Sequence, residues 1–551
     1  MRKGFLFLTL ASLSFGIAAQ ESLSETGKLA SLCKVWGFLK FYHPAVTGGK
    51  YDWDQELLKR EPLLLSLKTK DELSAFYLNW IGSLGSLAPY PVSAVDPAPG
   101  SITRNLDQLW MSDSTLFTDS LSAAFKNIVI HRHTGKSNYV REFPVIGGVD
   151  LVHGENLAVV SPYPTPEIRL LGLFRYWNTV CYYYPYKYAI GIDWNQELIQ
   201  MIPKFRDAAD TLQYHLAMLE LSLSINDSHA SFTSNYIDRY WGIKTPPFKF
   251  KLVEGKLIVT SLSDDALARR DDIRVGDIIQ FLDGKPVEDF IIKKSKYISG
   301  SNAAVKNRNF RLVLLNGQTD SLRVTVVRNN ISIEKTIHRY LSSAFKTAVA
   351  EKTFWKLLDP TTGYVNMGDL SRRQTPKMIR AMAKTEWLIL DLRHYPNNTY
   401  PKIAEYLNTE KKAFALFMDP DYTYPGVFKK REVVYCGKTN KSPYQGKVIL
   451  LVDEFTQSQG EFSCMAFQTA PHVTVIGSQT AGADGDMVFF AFPGPYKAYM
   501  TGMGVYYPDW KETQHVGIKA DIAVQPSLDG LSKGKDEILE RALQYIKEQN
   551  K

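Results

Sequence analysis

Apolar residues run without a break from Val448 to Val452, and the chain then turns polar through Asp453-Glu454-Phe455-Thr456-Gln457-Ser458-Gln459-Gly460-Glu461. A short apolar run that stops at turn residues predicts a buried parallel strand, here leading into a helix. Runs of the same kind predict strands over 363–367, 387–391 and 473–476, with helices over 375–384 and around Ala404. Strands and helices alternating in this way form a sheet covered by helices, with chemistry at the strands' carboxyl ends. Ser458 is thereby placed on the turn after a strand, beside the unpaired N–H groups of the next helix.

Upstream the period changes. Trp36 to Pro44, followed by Asp52-Trp53-Asp54-Gln55-Glu56-Leu57, is echoed by Trp177 to Pro185 and Asp193-Trp194-Asn195-Gln196-Glu197-Leu198 at a constant offset of 141. Each copy reads as an aromatic helix, a loop ending in proline, and a second helix capped by Asp52 or Asp193. The region predicts a duplicated helical hairpin with its rings packed inward. Alternation around 126–133 predicts strand, with His131 and His133 on one face; without a third ligand they do not make a metal site. A helix over 207–225 ends at Asn226-Asp227-Ser228-His229-Ala230-Ser231-Phe232. From Pro247 to His338, short β-patterned runs surround Arg274-Val275-Gly276-Asp277-Ile278-Ile279, and Asp283-Gly284 predicts a tight hairpin turn.

Composition narrows the setting. Met1-Arg2-Lys3, an apolar stretch from Phe5 to Ile17 and the small pair Ala18-Ala19 have the order of a secretory leader, so residues 1–20 are expected to be removed and the remainder to work in the periplasm or outside the cell. No later segment offers the roughly 18 apolar residues that a membrane span needs. The formal charge of +8 is scattered among acidic residues, and two of the charges, Arg2 and Lys3, lie in the leader; nucleic acid is not an expected partner. Cys33, Cys181, Cys436 and Cys464 lack metal-ligand spacing, and a Cys33–Cys181 bridge is open on sequence alone.

A serine hydroxyl is a poor nucleophile until a base is hydrogen-bonded to it. Of the ten histidines, His472 sits at the far end of the helix from Ser458, His515 lies near the end of the α/β region, and His229 follows a helix in a Ser-His-Ala-Ser-Phe turn. Glu461, in the first helical turn, suits capping better than catalysis. Arg393 suits either a substrate carboxylate or an internal acid such as Asp391 or Asp453.

Asp227-Ser228-His229, Asp391-Leu392-Arg393, Thr456-Gln457-Ser458-Gln459-Gly460-Glu461, Thr480-Ala481-Gly482 and Gly517-Ile518-Lys519-Ala520-Asp521-Ile522 stand in the order found in serine peptidase family 41. That family comprises the tail-specific, or carboxyl-terminal processing, proteases and the tricorn core proteases. The Gly-Asp-x-Ile segment and its Asp-Gly hairpin resemble the second half of a PDZ domain, which implies peptide capture at a sheet edge. The resemblance implies a multidomain α/β chain: an N-terminal helical and β accessory domain (21–164), a helical segment carrying Ser-His (165–240), a PDZ-like domain (245–340) and a ClpP/crotonase-like protease core (350–551).

In the tail-specific branch a lysine after Thr-x-Gly is the base; here Ala483 stands at that position. The tricorn-like branch instead uses a Ser-His pair ahead of the PDZ domain, which Ser228-His229 resembles. The resemblance implies Ser458 as nucleophile, His229 as base and Ser228 as the group orienting it. Gln514, or Glu512 through a register shift, stands where that branch carries a glutamate. Gln459 supplies one oxyanion N–H, and Asn397 or Asn398 replaces the usual Gly-Gly pair for the second, since asparagine tolerates the left-handed backbone. No cofactor or metal is called for, the expected partner is a peptide or unfolded protein, and no oligomeric state is implied. The rival expectation is a weak or inactive peptide-binding scaffold that retains the fold.

Overall fold

The computed structural model describes residues 23–87, 96–142, 149–151, 161–346, 352 and 354–550, so the leader expected over 1–20 lies outside the described residues. Helices α1 (Glu25–Tyr42) and α2 (Trp53–Leu65) form one hairpin, and α3 (Pro166–Tyr183) and α4 (Trp194–Arg206) form its repeat. Asp52 caps α2 by accepting from Gln55 N–H, and Asp193 caps α4 by accepting from Asn195 and Gln196 N–H. Within each hairpin two indoles donate to each other's carbonyl. Trp36 and Trp53 do so at 3.0 Å in both directions, and Trp177 and Trp194 at 2.7 and 3.2 Å.

The two hairpins meet where α1 crosses α3. Gly37 lies against Asn178, its own counterpart in the repeat, and a Cβ at position 37 would sit 1.9 Å from Asn178 Oδ1. The carboxamide needs that space, because its Nδ2 donates to Cys33 O and Phe174 O, both at 2.9 Å. Arg175 of the second copy pairs with Asp54 of the first. One apolar core continues from Leu29 through both hairpins and α5 (Thr211–Leu223) to Phe490 and Ala498. The boundary placed at 164/165 therefore divides the sequence but not the core.

One expectation is corrected here and one open question is answered. Residues 126–130 are not strand but the end of a helix, Asp119–Ile130, because Leu121, Phe125, Ile128 and Val129 bury one helical face. His131 closes that helix with Nδ1 against Asn127 O, and His133 turns Nε2 to Lys136 O, so each ring has a backbone partner. Cys33 and Cys181 are free thiols, Cys33 being buried under Asn178.

Strand β1 (Ser231–Phe232) follows α5. The next sheet contains β2 (Phe248–Val253), β3 (Lys256–Leu262), β4 (Ile278–Leu282), β5 (Ser321–Arg328) and β6 (Ile331–His338) in the order β6-β5-β4-β3-β2, which leaves β2 at an edge. Asp283 and Gly284 turn the chain with φ of 47° and 76°, the two positive values that a two-residue hairpin needs. Asp277 receives a two-pronged bond from Arg328 at 2.7 and 2.8 Å and also accepts from Arg274 N–H, which fixes the Gly-Asp turn against β5. Helix α6 (Ala303–Asn309) lies beside β2.

The body of the chain is a six-stranded sheet of β7 (Trp355–Asp359), β8 (Thr362–Asn366), β9 (Trp387–Asp391), β10 (Lys447–Val452), β11 (Val473–Gly477) and β14 (Ile522–Ala523), in that order and parallel except for β7. Helix α7 (Gln459–Phe467) follows β10. Strands β12 (Met487–Ala491) and β13 (Lys497–Thr501) pair with each other, and β13 pairs with β1 of the helical region. Leu388, Leu390 and Leu450 pack on one face of the large sheet, and Ile389, Ile449 and Leu451 on the other, as expected for strands covered on both sides. Among the described residues no helix is long and apolar enough to cross a membrane.

The close crossing at Gly37 makes a testable point. Gly37→Ala should lower stability by about 1–3 kcal/mol through overpacking against Asn178. In chemical denaturation the double variant Gly37→Ala/Asn178→Ala should cost less than the sum of the two single changes.

Candidate active site

Three carboxyl ends of the parallel sheet build the site: residues 392–398 after β9, 453–458 after β10 and 478–483 after β11. Ser458 caps α7 with φ 53° and ψ −122°, and its side chain makes no capping bond. Side chains with a Cβ rarely hold this backbone shape, which is a strained conformation concentrated at functional turns. The hydroxyl has no hydrogen-bond partner among the described residues and opens on a cavity of about 320 Å3 that Gln459 and Asn398 also line. The Gln459 N–H begins α7 without an acceptor among the described residues, as an oxyanion donor must.

The turn is held from behind. Ser458 N–H donates to Ala483 O at 2.9 Å, and Ala481 N–H to Thr456 O at 2.9 Å. Glu461 is fully buried in the first turn of α7, and its carboxylate reaches across to Thr480 Oγ1 at 2.6 Å, Gly482 N–H at 2.7 Å and Ala483 N–H at 3.0 Å. Burial pushes this carboxyl up to about 7, against the pull of those bonds. Gly517 passes so close that a Cβ would lie 2.0 Å from Thr480 Oγ1, so only glycine fits.

His229 arrives on a separate element. β1 pairs antiparallel with β13, Ser231 opposite Tyr499 and Phe232 opposite Ala498, which carries the preceding turn to the end of β13. Asp227, fully buried, fastens the two by accepting from His229 N–H at 3.0 Å and Thr501 N–H at 2.7 Å. The ring then meets Thr501 Oγ1 through Nδ1 at 2.9 Å. Burial lowers the imidazole below its ordinary value; the Asp227 charge opposes that shift and Arg308 adds to it. No hydrogen bond joins Ser458 to His229 in this structure. The two segments are tied one residue away, where Gln457 Nε2 donates to Ser228 O at 3.3 Å.

Several expected residues stand elsewhere than predicted. The Ser228 hydroxyl does not touch His229. It donates to Ala481 O at 3.0 Å and accepts from Ser301 N–H at 2.9 Å, so Thr501 takes the orienting position. Gln514 is buried and donates to Ser301 Oγ at 3.5 Å, while Ser301 Oγ accepts from Ser228 N–H at 2.8 Å. Glu512 does not replace it, because its carboxylate accepts from Arg104 at 3.0 Å and Tyr188 at 2.7 Å. Asn397 points its amide back to Gly368 O and Leu370 O, whereas Asn398 takes the left-handed backbone, φ 52°, on the cavity wall. Arg393 is bound to both Asp391 and Asp536 and is not free for a substrate.

The PDZ-like sheet edge also has an internal neighbour. Lys251 of β2 pairs with Glu454 at 2.9 Å, and Arg308 of α6 donates to Glu454 O at 2.7 Å and Gln457 Oε1 at 2.9 Å. Arg308 and Arg311 stand over the Phe455 ring. Residues 454–457, which lead into Ser458, thus occupy the surface between β2 and α6. Thr501, Ser301 and Asp484 were not singled out from sequence. A polar residue at the end of a paired strand is the signal that would have flagged Thr501.

A parallel sheet with a strained serine at its carboxyl edge, tied to an inserted PDZ-like sheet, defines a serine peptidase body. Residues 361–524 match the sequence model of peptidase family S41 and residues 244–351 that of the PDZ domain, so the chain carries an S41 core with a PDZ domain and is a hydrolase of the serine-peptidase class. Among solved structures, mature CPAF complexed with lactacystin superposes with a TM-score of 0.55 at 14% identity, over 69% of this chain and 98% of that one. The photosystem II D1 C-terminal processing protease gives 0.40 at 16% identity, over 67% and 98%. No curated protein matches the chain by sequence.

The backbone at Ser458 can be tested by itself. Ser458→Gly should be more stable than Ser458→Ala by about 1 kcal/mol, because glycine alone accepts this φ and ψ without strain. Thermal unfolding of the two variants measures it, and equal stabilities would contradict the strain.

Proposed function

We propose that the chain is an endopeptidase acting on peptides or unfolded proteins through an acyl-enzyme, with Ser458 as nucleophile and His229 as base, and that the predicted leader directs it to the periplasm or beyond. The observation that carries the reading is the strained Ser458 turn. It leaves a hydroxyl and the Gln459 N–H both unpartnered on one cavity, with a buried, neutral-tending imidazole fastened to the neighbouring segment.

With Nδ1–H donated to Thr501 Oγ1, the His229 Nε2 lone pair is free to take the Ser458 proton as the oxygen attacks a peptide carbonyl, and then to pass it to the leaving amine. Gln459 N–H and the backbone at Asn398 receive the developing oxyanion; loss of one such donor costs about 3 kcal/mol in the transition state. Water then releases the acyl group by the same steps in reverse. The imidazolium is stabilised by the Asp227 charge and the Thr501 hydroxyl, without a carboxylate in direct contact. Gln514 acts on the Ser228–Ser301 pair and so positions the turn that carries the base.

A fluorophosphonate probe should label Ser458, as read by mass spectrometry, and labelling should vanish in Ser458→Ala. His229→Ala should lose roughly 100- to 10,000-fold in rate, and Thr501→Val roughly 10- to 100-fold through misplacement of the ring. A folded protein that takes no label and cuts no denatured substrate would instead support the scaffold reading. The base is active when neutral, and burial lowers its pKa, so kcat/KM should hold as pH falls and decline only below the ordinary imidazole value of 6.5. A decline centred above 6.5 would contradict His229 as the base.

A further inference from the structure

The cavity beside Ser458 has aromatic walls and an acidic end. Tyr395, Tyr400, Phe417 and Phe462 form the first, Asp484 and Asp486 the second, and no lysine, arginine or histidine is among the residues lining it. Asp484 is 3% exposed; its Oδ1 accepts from Gly485 N–H at 2.8 Å, and its Oδ2 has no partner among the described residues. The charged neighbours that act on it are Glu461 and Asp486, both acids. The titratable groups on which it acts in turn, Cys464, Tyr186, Tyr400 and Tyr507, are held neutral by burial. Arg431 acts on Asp486, but its guanidinium is bonded to Asp419.

A buried carboxyl with an unmatched oxygen costs free energy in either protonation state. Ionised, it lacks a counter-charge; protonated, it lacks an acceptor for its O–H. A cationic group entering the cavity removes that cost, and aromatic walls suit such a guest. Ser458 and Gln459 line this same cavity, so a carbonyl held between them lies on its wall.

We propose that the cavity takes the side chain of the residue whose carbonyl Ser458 attacks, and that it selects lysine or arginine, with Asp484 as counter-charge. The inference rests on the endopeptidase reading above. Burial, with Glu461 and Asp486 adding to it, raises the Asp484 carboxyl well above the usual range. An entering cation therefore displaces a proton, and the preference for it widens as pH rises.

The test uses the full-length Ser458→Ala protein, which binds without cutting, and two fluorescent unstructured peptides that differ only in lysine or norleucine at one position. Fluorescence anisotropy should show the lysine peptide bound about tenfold or more tightly. Asp484→Asn, added to Ser458→Ala, should bring the two within about twofold. Equal affinities, no measurable binding of the lysine peptide, or a preference that survives Asp484→Asn overturns the proposal. Should Asp484→Asn not fold, the lysine-to-norleucine ratio measured from about pH 5 to 8 in Ser458→Ala decides, since a ratio that stays flat overturns it. Digestion by the wild-type chain separates the two readings. Cleavage after lysine supports both; lysine-selective binding without any cleavage refutes the Ser458 nucleophile and leaves the pocket standing.

Discussion

The buried carboxylate of Glu461 is the interaction on which the site depends. It gathers Thr480, Gly482 and Ala483 into a tight loop, and that loop is where the other parts attach. Ala483 O holds the Ser458 turn, Ala481 O holds the Ser228 hydroxyl, and Asn302 of α6's cap donates to Thr480 O at 2.8 Å. The sheet, the helical segment and the PDZ domain therefore meet on one short stretch of backbone. A carboxylate suits this task because it accepts several donors at once, here one hydroxyl and two backbone N–H groups in a buried position.

What could be read beforehand was mostly local. The strand–turn–helix around Ser458 follows from an unbroken apolar run ending in turn residues, and the Asp283-Gly284 turn follows from two residues that tolerate positive φ. The hairpin repeat was visible because its cap and its tryptophans recur together. Residues 126–130 misled because Ile128-Val129-Ile130 are apolar and β-branched, which suits a strand; burial of Leu121 and Phe125 on the same helical face decided otherwise.

Contacts between distant segments were less legible. Thr501 meets His229 only because β1 pairs with β13, and nothing within either segment specifies that pairing. Ser228 looked like the natural support for an adjacent histidine, yet the turn closed by Ala230 N–H on Asp227 O sends its hydroxyl to Ala481 and Ser301 instead. Glu512 was attractive for its charge, but Arg104 and Tyr188 of the N-terminal region already hold it. In each case the competing partner lay far away in the chain.

The PDZ domain is joined to the core through the residues that precede the serine. Lys251 and Arg308 grip Glu454, and the same arginine reaches Gln457. The region is thus a structural neighbour of the reaction centre as well as a surface of its own.

The crossing of α1 and α3 bears on how the duplicated hairpin came to have two different fates. Two identical copies could not have packed there with an asparagine on each side, since the carboxamide of Asn178 fills the space that any side chain at position 37 would require. Self-association of the repeat demanded that its symmetry be broken at this point. Once it was, the halves ceased to be interchangeable: one became a fixed buttress, and the other was left to lead, through α5, into the turn that carries His229.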